Sequence, residues 1–343
     1  MNRTKSGVTW IELLVVIIII AVLSLLLLPG LNRRHGDYPS LCQSTLKRWG
    51  QVLSMYADES PEQKYPYIHF DQKTRKQKSP EDIGFPAPLS IPQLELLYPS
   101  LTGDFELLYC PLQPERDDYI ETIQKNGIKG LYEKYQGYHF GYVYFGWVFD
   151  RLAIKPAQKL SDFPLLCSVM ESFGASAIED NESIYVTPQF AAGMDALFSS
   201  LCEGSVPETP RQYFLDVVDN ALRVTAPLGN GGGDTIRRLA NGVERFVLTD
   251  YNDPGAVAMF RATTWVMMDT YRVPDFTEYC FNHIPGGCNV LFMDGHVEFV
   301  RYVSGAPGPD IDVGAGAPVL PGMAPILDYL IDMRDGKYPV LQN

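Results

Sequence analysis

The pattern of apolar and polar residues changes abruptly near the N-terminus. From Leu13 to Leu28 only Ser24 interrupts an apolar run, and the mainly apolar residues 8–11 precede it. A helix needs about 20 predominantly apolar residues to cross a bilayer. The pattern therefore predicts a transmembrane helix over 8–30. It holds one carboxylate, Glu12. Burying a carboxylate in a membrane costs about 2.5 kcal/mol or more, so an acid inside a span usually has a function, and Glu12 is a candidate functional residue.

Helical periodicity resumes after a break rich in glycine, proline and charge. The residues that follow Pro29 predict a hinge, and a helix then begins at Pro39 or Ser40. Its apolar residues recur at helical spacing and are Leu41, Leu46, Trp49, Val52, Leu53 and Tyr56. We therefore assign 31–56 to a hinge and a continuing helix that packs on a sheet.

The body of the chain, 57–304, mixes strand and helix patterns. Strands are predicted over 138–150, 243–250 and 265–271, and a helix is predicted over 187–204. A glycine- and proline-rich linker follows at 305–318. It leads to a C-terminal amphipathic helix whose apolar side carries Ile326, Leu327, Leu330 and Ile331. These patterns predict an α+β fold with a large antiparallel-sheet domain.

The strongest local signal in the body is a β-hairpin centred on Asp294-Gly295. An Asp-Gly pair between two apolar runs is typical of a two-residue type I′ loop, which needs positive φ at both positions. That register puts Val290, Phe292, Val297 and Phe299 on one face, toward the core, and Leu291, Met293, His296 and Glu298 on the other. The residues Pro285, Gly286 and Gly287 predict a sharp bend before the hairpin.

The N-terminal segment resembles that of type IV prepilins and type II secretion pseudopilins. A short basic leader ends at Gly7, and an apolar segment with Glu12 as its fifth residue follows. The resemblance implies cleavage between Gly7 and Val8 by a prepilin peptidase and methylation of Val8. It also implies that Glu12 pairs with the N-terminal amine of a neighbouring subunit, and that Pro29 kinks the helix.

The C-terminal part resembles pilin-like proteins that carry an H-x9-DG motif. His283, Gly286, Gly287, Asp294-Gly295 and His296 match it, although ten residues separate His283 from Asp294. The segment 42–56 also resembles the corresponding helix of these proteins.

The two resemblances together imply a non-enzymatic structural subunit of a pseudopilus or type IV pilus-like filament. Its partners would be prepilin peptidase, other pilin-like subunits and the inner-membrane assembly platform. They further imply a single pass through the inner membrane, with the C-terminal domain periplasmic or extracellular. The expected division is a leader at 1–7, the membrane and assembly helix at 8–30, the hinge and helix at 31–56, the globular domain at 57–304 with the hairpin at 283–302, and the linker and C-terminal helix at 305–343.

Charge narrows the range of partners. The 343 residues carry a formal charge of −13, and loss of Arg3 and Lys5 with the leader makes it −15. An acidic chain repels phosphates, so nucleic acid is a poor partner and divalent cations are a more natural one.

Two groups of residues are candidate metal ligands, although no cofactor is certain. His283, Asp294 and His296 can approach one another across the hairpin, and imidazole with carboxylate suits several metals. A second group, Asp250, Asn252 and Asp253, offers oxygen ligands in one turn, which suits calcium or another structural divalent cation. The alternative is that Asp294 forms the turn and His283 orders the preceding loop.

The six cysteines allow disulfides without selecting a pairing. They are Cys42, Cys110, Cys167, Cys202, Cys280 and Cys288. An even number in an exported chain favours disulfides, but six cysteines allow fifteen connectivities. Cys280 and Cys288 flank one loop and form a plausible local pair, and free buried thiols are the alternative.

Other functions remain open beside the structural subunit. The strongest is a membrane-anchored monomeric surface or periplasmic binding protein that uses the same prepilin-type signal, because major pilins are usually smaller than this chain. A plain anchor or a cleaved signal peptide would also explain the apolar run, but neither needs Gly7 or Glu12. A hydrolase is disfavoured because the chain has neither a G-x-S-x-G nor an H-E-x-x-H motif.

Overall fold

The fold is taken from a computed structural model of the full chain. It describes residues 10, 13–17, 38–71, 87–101, 104–113, 115–135, 139–152, 156–172, 184–203, 211–272, 280–281, 286–302 and 323–334. The chain divides into two units, Met1–Leu41 and Cys42–Asn343.

The predicted transmembrane helix over 8–30 is wrong for the fold described here. Among the described residues, no helix is long and apolar enough to cross a membrane. Within 8–30 the described residues are 10 and 13–17, which are helical and exposed.

The predicted inner-membrane location is wrong for the same reason. A single pass through the inner membrane, with the C-terminal domain periplasmic or extracellular, needs a spanning helix that the described part of the chain lacks. The processing and assembly residues Gly7, Val8, Glu12 and Pro29 lie outside the described residues.

The helix predicted over 39–56 is confirmed as α1, Tyr38–Glu59. Its buried residues follow a helical period and are Cys42, Leu46, Trp49, Leu53 and Ala57. The prediction misplaced one residue: Leu41 is 48% exposed, and Cys42 begins the buried stripe. The stripe is therefore shifted by one position at its N-terminal end.

The described part of the chain forms a main sheet of four strands, β3 Tyr142–Tyr144, β8 Trp265–Asp269, β11 Gly287–Phe292 and β12 Val297–Arg301. All neighbours are antiparallel, and the order across the sheet is β12-β11-β8-β3. The strands β8 and β11 are buried along their whole length because they occupy the centre of the sheet, whereas β12 is an edge strand with exposed positions.

Helix α1 lies against this sheet and against the segment that precedes β3. A methyl group at Gly50 would lie 3.0 Å from Leu291 Cδ1, so the helix backbone closely approaches β11. On the same helix, the Trp49 Nε1–H donates to the carbonyl oxygen of Leu107 over 2.7 Å. These contacts attach α1 to two separate parts of the body.

Among the residues that the structure describes, four two-stranded antiparallel sheets accompany the main sheet. They pair β1 Ile68–Asp71 with β2 Ala87–Pro92, β4 Gln158–Lys159 with β5 Tyr185–Val186, β6 Leu222–Arg223 with β7 Thr235–Ile236, and β9 Tyr271–Arg272 with β10 Cys280–Phe281.

Seven further α-helices lie in the described part of the chain. They are α2 Leu94–Leu101, α3 Arg116–Tyr135, α4 Pro164–Ser172, α5 Pro188–Glu203, α6 Arg211–Asp219, α7 Pro254–Thr263 and α8 Ala324–Arg334. Helix α5 confirms the helix predicted over 187–204. Helix α8 confirms the C-terminal helix, and all four of its predicted apolar residues are buried against the core.

Two strand predictions need correction. The stretch predicted as a strand over 243–250 begins with a 3₁₀-helix, Val243–Phe246, in which Val243 is buried while Phe246 is 57% exposed. The long strand predicted over 138–150 shrinks to β3, because positive φ at His139 and at Gly146 bounds the extended backbone.

Candidate functional site at the hairpin cleft

The Asp294-Gly295 hairpin is present, but its loop is one residue longer than predicted. The Phe292 N–H donates to the His296 carbonyl over 3.0 Å, and the Gly295 N–H donates to the Phe292 carbonyl over 2.9 Å. Of Asp294 and Gly295, only Gly295 has positive φ, at 89°, so the loop is not of type I′. A turn followed by a residue in the left-handed region is the arrangement of the three-residue hairpin loop, here 293–295.

The longer loop reverses the predicted faces of the hairpin. Leu291 pairs with Val297, and Val290 pairs with Glu298. Paired residues share a face, so Val290 and Val297 lie on opposite faces, contrary to the prediction. A shift of one residue in register moves every side chain to the other face.

Asp294 and His296 are bound to each other within the loop. The Asp294 carboxylate accepts from the His296 backbone N–H over 3.0 Å and lies 2.5 Å from the His296 Nδ1 atom. The His296 ring also stacks on Phe292, with ring centres 4.5 Å apart. These contacts give both residues a local role in forming the turn.

The hairpin loop forms one wall of a cleft of about 540 Å³, which we call the hairpin cleft. Its other walls come from α1, α7 and the ends of β8 and β11. The lining residues are Gly50, Ser54, Tyr65, Asn241, Pro254, Val257, Ala258, Arg261, Val266, Leu291, Phe292, Met293, Asp294 and Gly295. Backbone hydrogen bonds fix the loop against α7 and β8: Asp294 N–H donates to the Arg261 carbonyl, and Met293 N–H donates to the Thr264 carbonyl.

The charged groups of the hairpin cleft are Arg261 and Asp294. The Arg261 Nε–H is buried and has no hydrogen-bond partner among the described residues. Burial raises the pKa of the neighbouring Tyr65 hydroxyl, and the Arg261 charge partly offsets that rise. The lining residues include no histidine or cysteine, so Arg261 and Asp294 are the charged groups that a ligand in the cleft would meet.

The remaining motif residues are only partly brought together. His283 lies outside the described residues. Gly286 is exposed, and Gly287 is buried in β11, where an added Cβ would lie 2.5 Å from the Val300 carbonyl oxygen. Glycine at position 287 thus permits the close approach of β12.

The described residues give no support to the predicted metal sites. They contain no group of three or more histidine, cysteine, aspartate or glutamate residues placed to hold a metal ion. Asp250 accepts from the Asn252 backbone N–H, and Asp253 accepts from the Gly255 N–H and caps α7. Both carboxylates therefore serve local backbone structure.

Sequence reasoning did not anticipate a polar pair buried between the central strands. Asp269 on β8 and Asn289 on β11 are both fully buried, and Asp269 Oδ2 accepts from the backbone N–H and from the side-chain amide of Asn289, over 2.9 and 2.8 Å. Burial raises the pKa of the adjacent Cys288 thiol well above its usual range, and the Asp269 charge adds to the rise. The one signal in the sequence was a charged residue inside an apolar strand pattern.

No disulfide bond joins the cysteines whose side chains the structure describes, which are Cys42, Cys110, Cys167, Cys202 and Cys288. The side chain of Cys280 lies outside the described residues, so its predicted pairing with Cys288 stays a prediction. A different pair is close together: the Sγ atoms of Cys42 and Cys110 are 2.9 Å apart.

Comparison of this chain with protein-family models, with curated proteins and with solved structures gave no match.

Proposed function

We propose that this chain is a pilin-like structural subunit. A prepilin peptidase cuts it between Gly7 and Val8, and the mature chain assembles with other pilin-like subunits into a type II secretion pseudopilus or type IV pilus-like filament. Gly7 and the fifth-position Glu12 in the sequence support the processing step. The motif around Asp294-Gly295 supports the same class of protein.

The observation that carries the proposal is the attachment of α1 to the antiparallel sheet. A filament subunit needs a folded body firmly fixed to the helix that follows its assembly segment. Here the apolar stripe of α1 is buried, its Gly50 closely approaches Leu291, and its Trp49 binds the Leu107 carbonyl. Burial of such large side chains contributes about 1.5–3 kcal/mol each, so α1 unfolds only with the body.

The hairpin supports a structural role rather than a catalytic one. Asp294 and His296 satisfy each other and the local backbone. A hydrolytic role would need these groups free to meet a substrate.

The assembly step is tested by removing the charge at Glu12. The Glu12→Ala variant is processed normally but fails to assemble, because breaking a buried ion pair costs about 3–5 kcal/mol. The measurement is lysine crosslinking between subunits in cells, followed by immunoblotting, in which the crosslinked fraction falls by about tenfold or more.

The matched control is Glu59→Ala, which removes one carboxylate from the exposed C-terminal end of α1. This variant keeps the normal level of crosslinking. Normal crosslinking of Glu12→Ala would contradict the proposed assembly mechanism.

A monomeric binding protein that carries the same processing site is the second candidate. The hairpin cleft favours it, because a volume of about 540 Å³ lies within the range of ligand pockets and Arg261 offers a cation for an acidic group. Wild-type protein that is processed but gives no crosslinks between subunits would favour this second function.

A further inference from the structure

The sulfur atoms of Cys42 and Cys110 are closer than an ordinary contact allows. Their separation is 2.9 Å, whereas non-bonded heavy atoms usually lie about 3.5–4.0 Å apart. A disulfide bond is about 2.05 Å long. Closing the remaining gap therefore needs less than 1 Å of movement.

The backbones on both sides of this pair are firmly held. Cys42 opens the buried stripe of α1, and Trp49 binds the Leu107 carbonyl on the other side of the gap. Cys110 follows the 3₁₀-helix Phe105–Leu108 and packs on Gly141, where an added Cβ would lie 2.3 Å from the Cys110 nitrogen. The Gly141 N–H donates to the Leu108 carbonyl over 3.1 Å. The fold thus holds the two thiols face to face.

We propose that Cys42 and Cys110 are an oxidation site at which a disulfide bond fastens α1 to the body. The inference does not rest on the proposed function. One thiolate attacks a disulfide of an organic or protein thiol oxidant and forms a mixed disulfide, and the second thiolate then displaces the oxidant. The two thiols lose two protons and two electrons, one S–S bond forms, and the oxidant leaves as two thiols.

Burial determines when the bond forms. Both sulfurs are inaccessible, with residue exposures of 0%. The exchange therefore takes place before α1 docks on the body, and docking then shields the bond from reductants. The third nearby thiol, Cys288 on β11, takes no part in this bond because the nearest sulfur to Cys110 is that of Cys42, 2.9 Å away.

Peptide mapping of the full chain tests the pairing. The protein is refolded from urea with a mixture of oxidised and reduced glutathione, alkylated in denaturant without further reduction, and digested with trypsin. The peptides 35–47 and 79–116 are expected as one species, lighter than their sum by two hydrogen atoms, that separates on reduction. Alkylation of both cysteines, or a link from either one to Cys288, would overturn the proposal.

Thermal unfolding provides a second test. The bond closes a loop of 68 residues, so the oxidised protein is expected to melt about 7 °C above the reduced protein. Cys42→Ala and Cys110→Ala each abolish this difference between oxidised and reduced protein. Cys167→Ala, which removes a buried thiol elsewhere, preserves it. A difference of the same size in Cys42→Ala would also overturn the proposal.

Discussion

At the scale of single residues, Gly295 decides the geometry of the hairpin. The Asp-Gly pair correctly predicted where the chain turns, but it fits both a two-residue loop and a three-residue loop. The choice depends on whether Asp294 also takes positive φ, and it does not. The hydrophobic pattern could not fix the register of the hairpin. Both faces of β11 are buried, so the sequence does not show which of its side chains lie on which face.

A substitution at Gly295 isolates the backbone cost of this turn. No atom lies within 4 Å of a Cβ added there, so Gly295→Ala pays only for holding alanine at φ 89°. We expect a loss of about 1–2 kcal/mol in the free energy of unfolding, measured by urea denaturation.

The matched variant is Gly295→Asn, which is expected to lose less stability because asparagine tolerates the left-handed region better than alanine. Equal stability of Gly295→Ala and the wild type would contradict the geometry of the turn.

At the scale of elements, long periodic helices were predictable and short elements were not. The helices α1 and α8 carry apolar stripes that the sequence displays directly. The stretch 243–250 has the composition of a strand, yet the Phe246 side chain is more than half exposed. Its ring makes cation–π contacts with Arg237 and Arg245. These contacts depend on the 3₁₀-helical backbone, which strand propensity does not take into account, so the strand prediction for 243–250 was wrong.

The packing of α1 on the sheet leads to a prediction at Gly50. A side chain as large as leucine crowds β11, because even a methyl group at Gly50 would lie 3.0 Å from Leu291 Cδ1. We expect Gly50→Leu to lower the free energy of unfolding by about 1–3 kcal/mol in urea denaturation.

The control is Gln51→Leu, which places the same side chain at an exposed position of the same helix. Its effect is expected to stay within about 0.5 kcal/mol. If both variants are equally stable, the contact between α1 and β11 is not as described.

At the scale of the whole molecule, buried cysteine thiols and tyrosine hydroxyls make the stability of the fold sensitive to high pH. Burial raises the pKa of the Cys167 thiol from 9.0 to about 11, and burial also raises the pKa of Cys288, Tyr142 and Tyr144. Between pH 9 and 11 the unfolded chain loses protons that the folded chain keeps. Stability therefore falls as the pH rises through this window.

Urea midpoints between pH 8 and 11, measured with a phosphine reductant present, test this expectation. The wild-type midpoint is expected to fall steadily above about pH 9. In Cys167→Ala the slope is expected to be less steep, by one proton. A wild-type midpoint that is constant or that rises across this range would contradict the account.

The predicted transmembrane helix shows where sequence reasoning went too far at this scale. A long apolar run satisfied the length rule for a membrane span. The described residues contain no such helix, and Gly7, Val8 and Glu12 lie outside them. Whether the chain is cleaved after Gly7 is therefore tested by identifying its N-terminal residue.

The most direct measurement is mass spectrometry of the N-terminus of the protein recovered from its native cells. The proposed function predicts a mature chain that begins at Val8 with a methylated amine, and a Gly7→Val variant that keeps the leader. A wild-type chain that still begins at Met1, or one that begins beyond Pro29, would contradict prepilin processing and with it the proposed filament subunit.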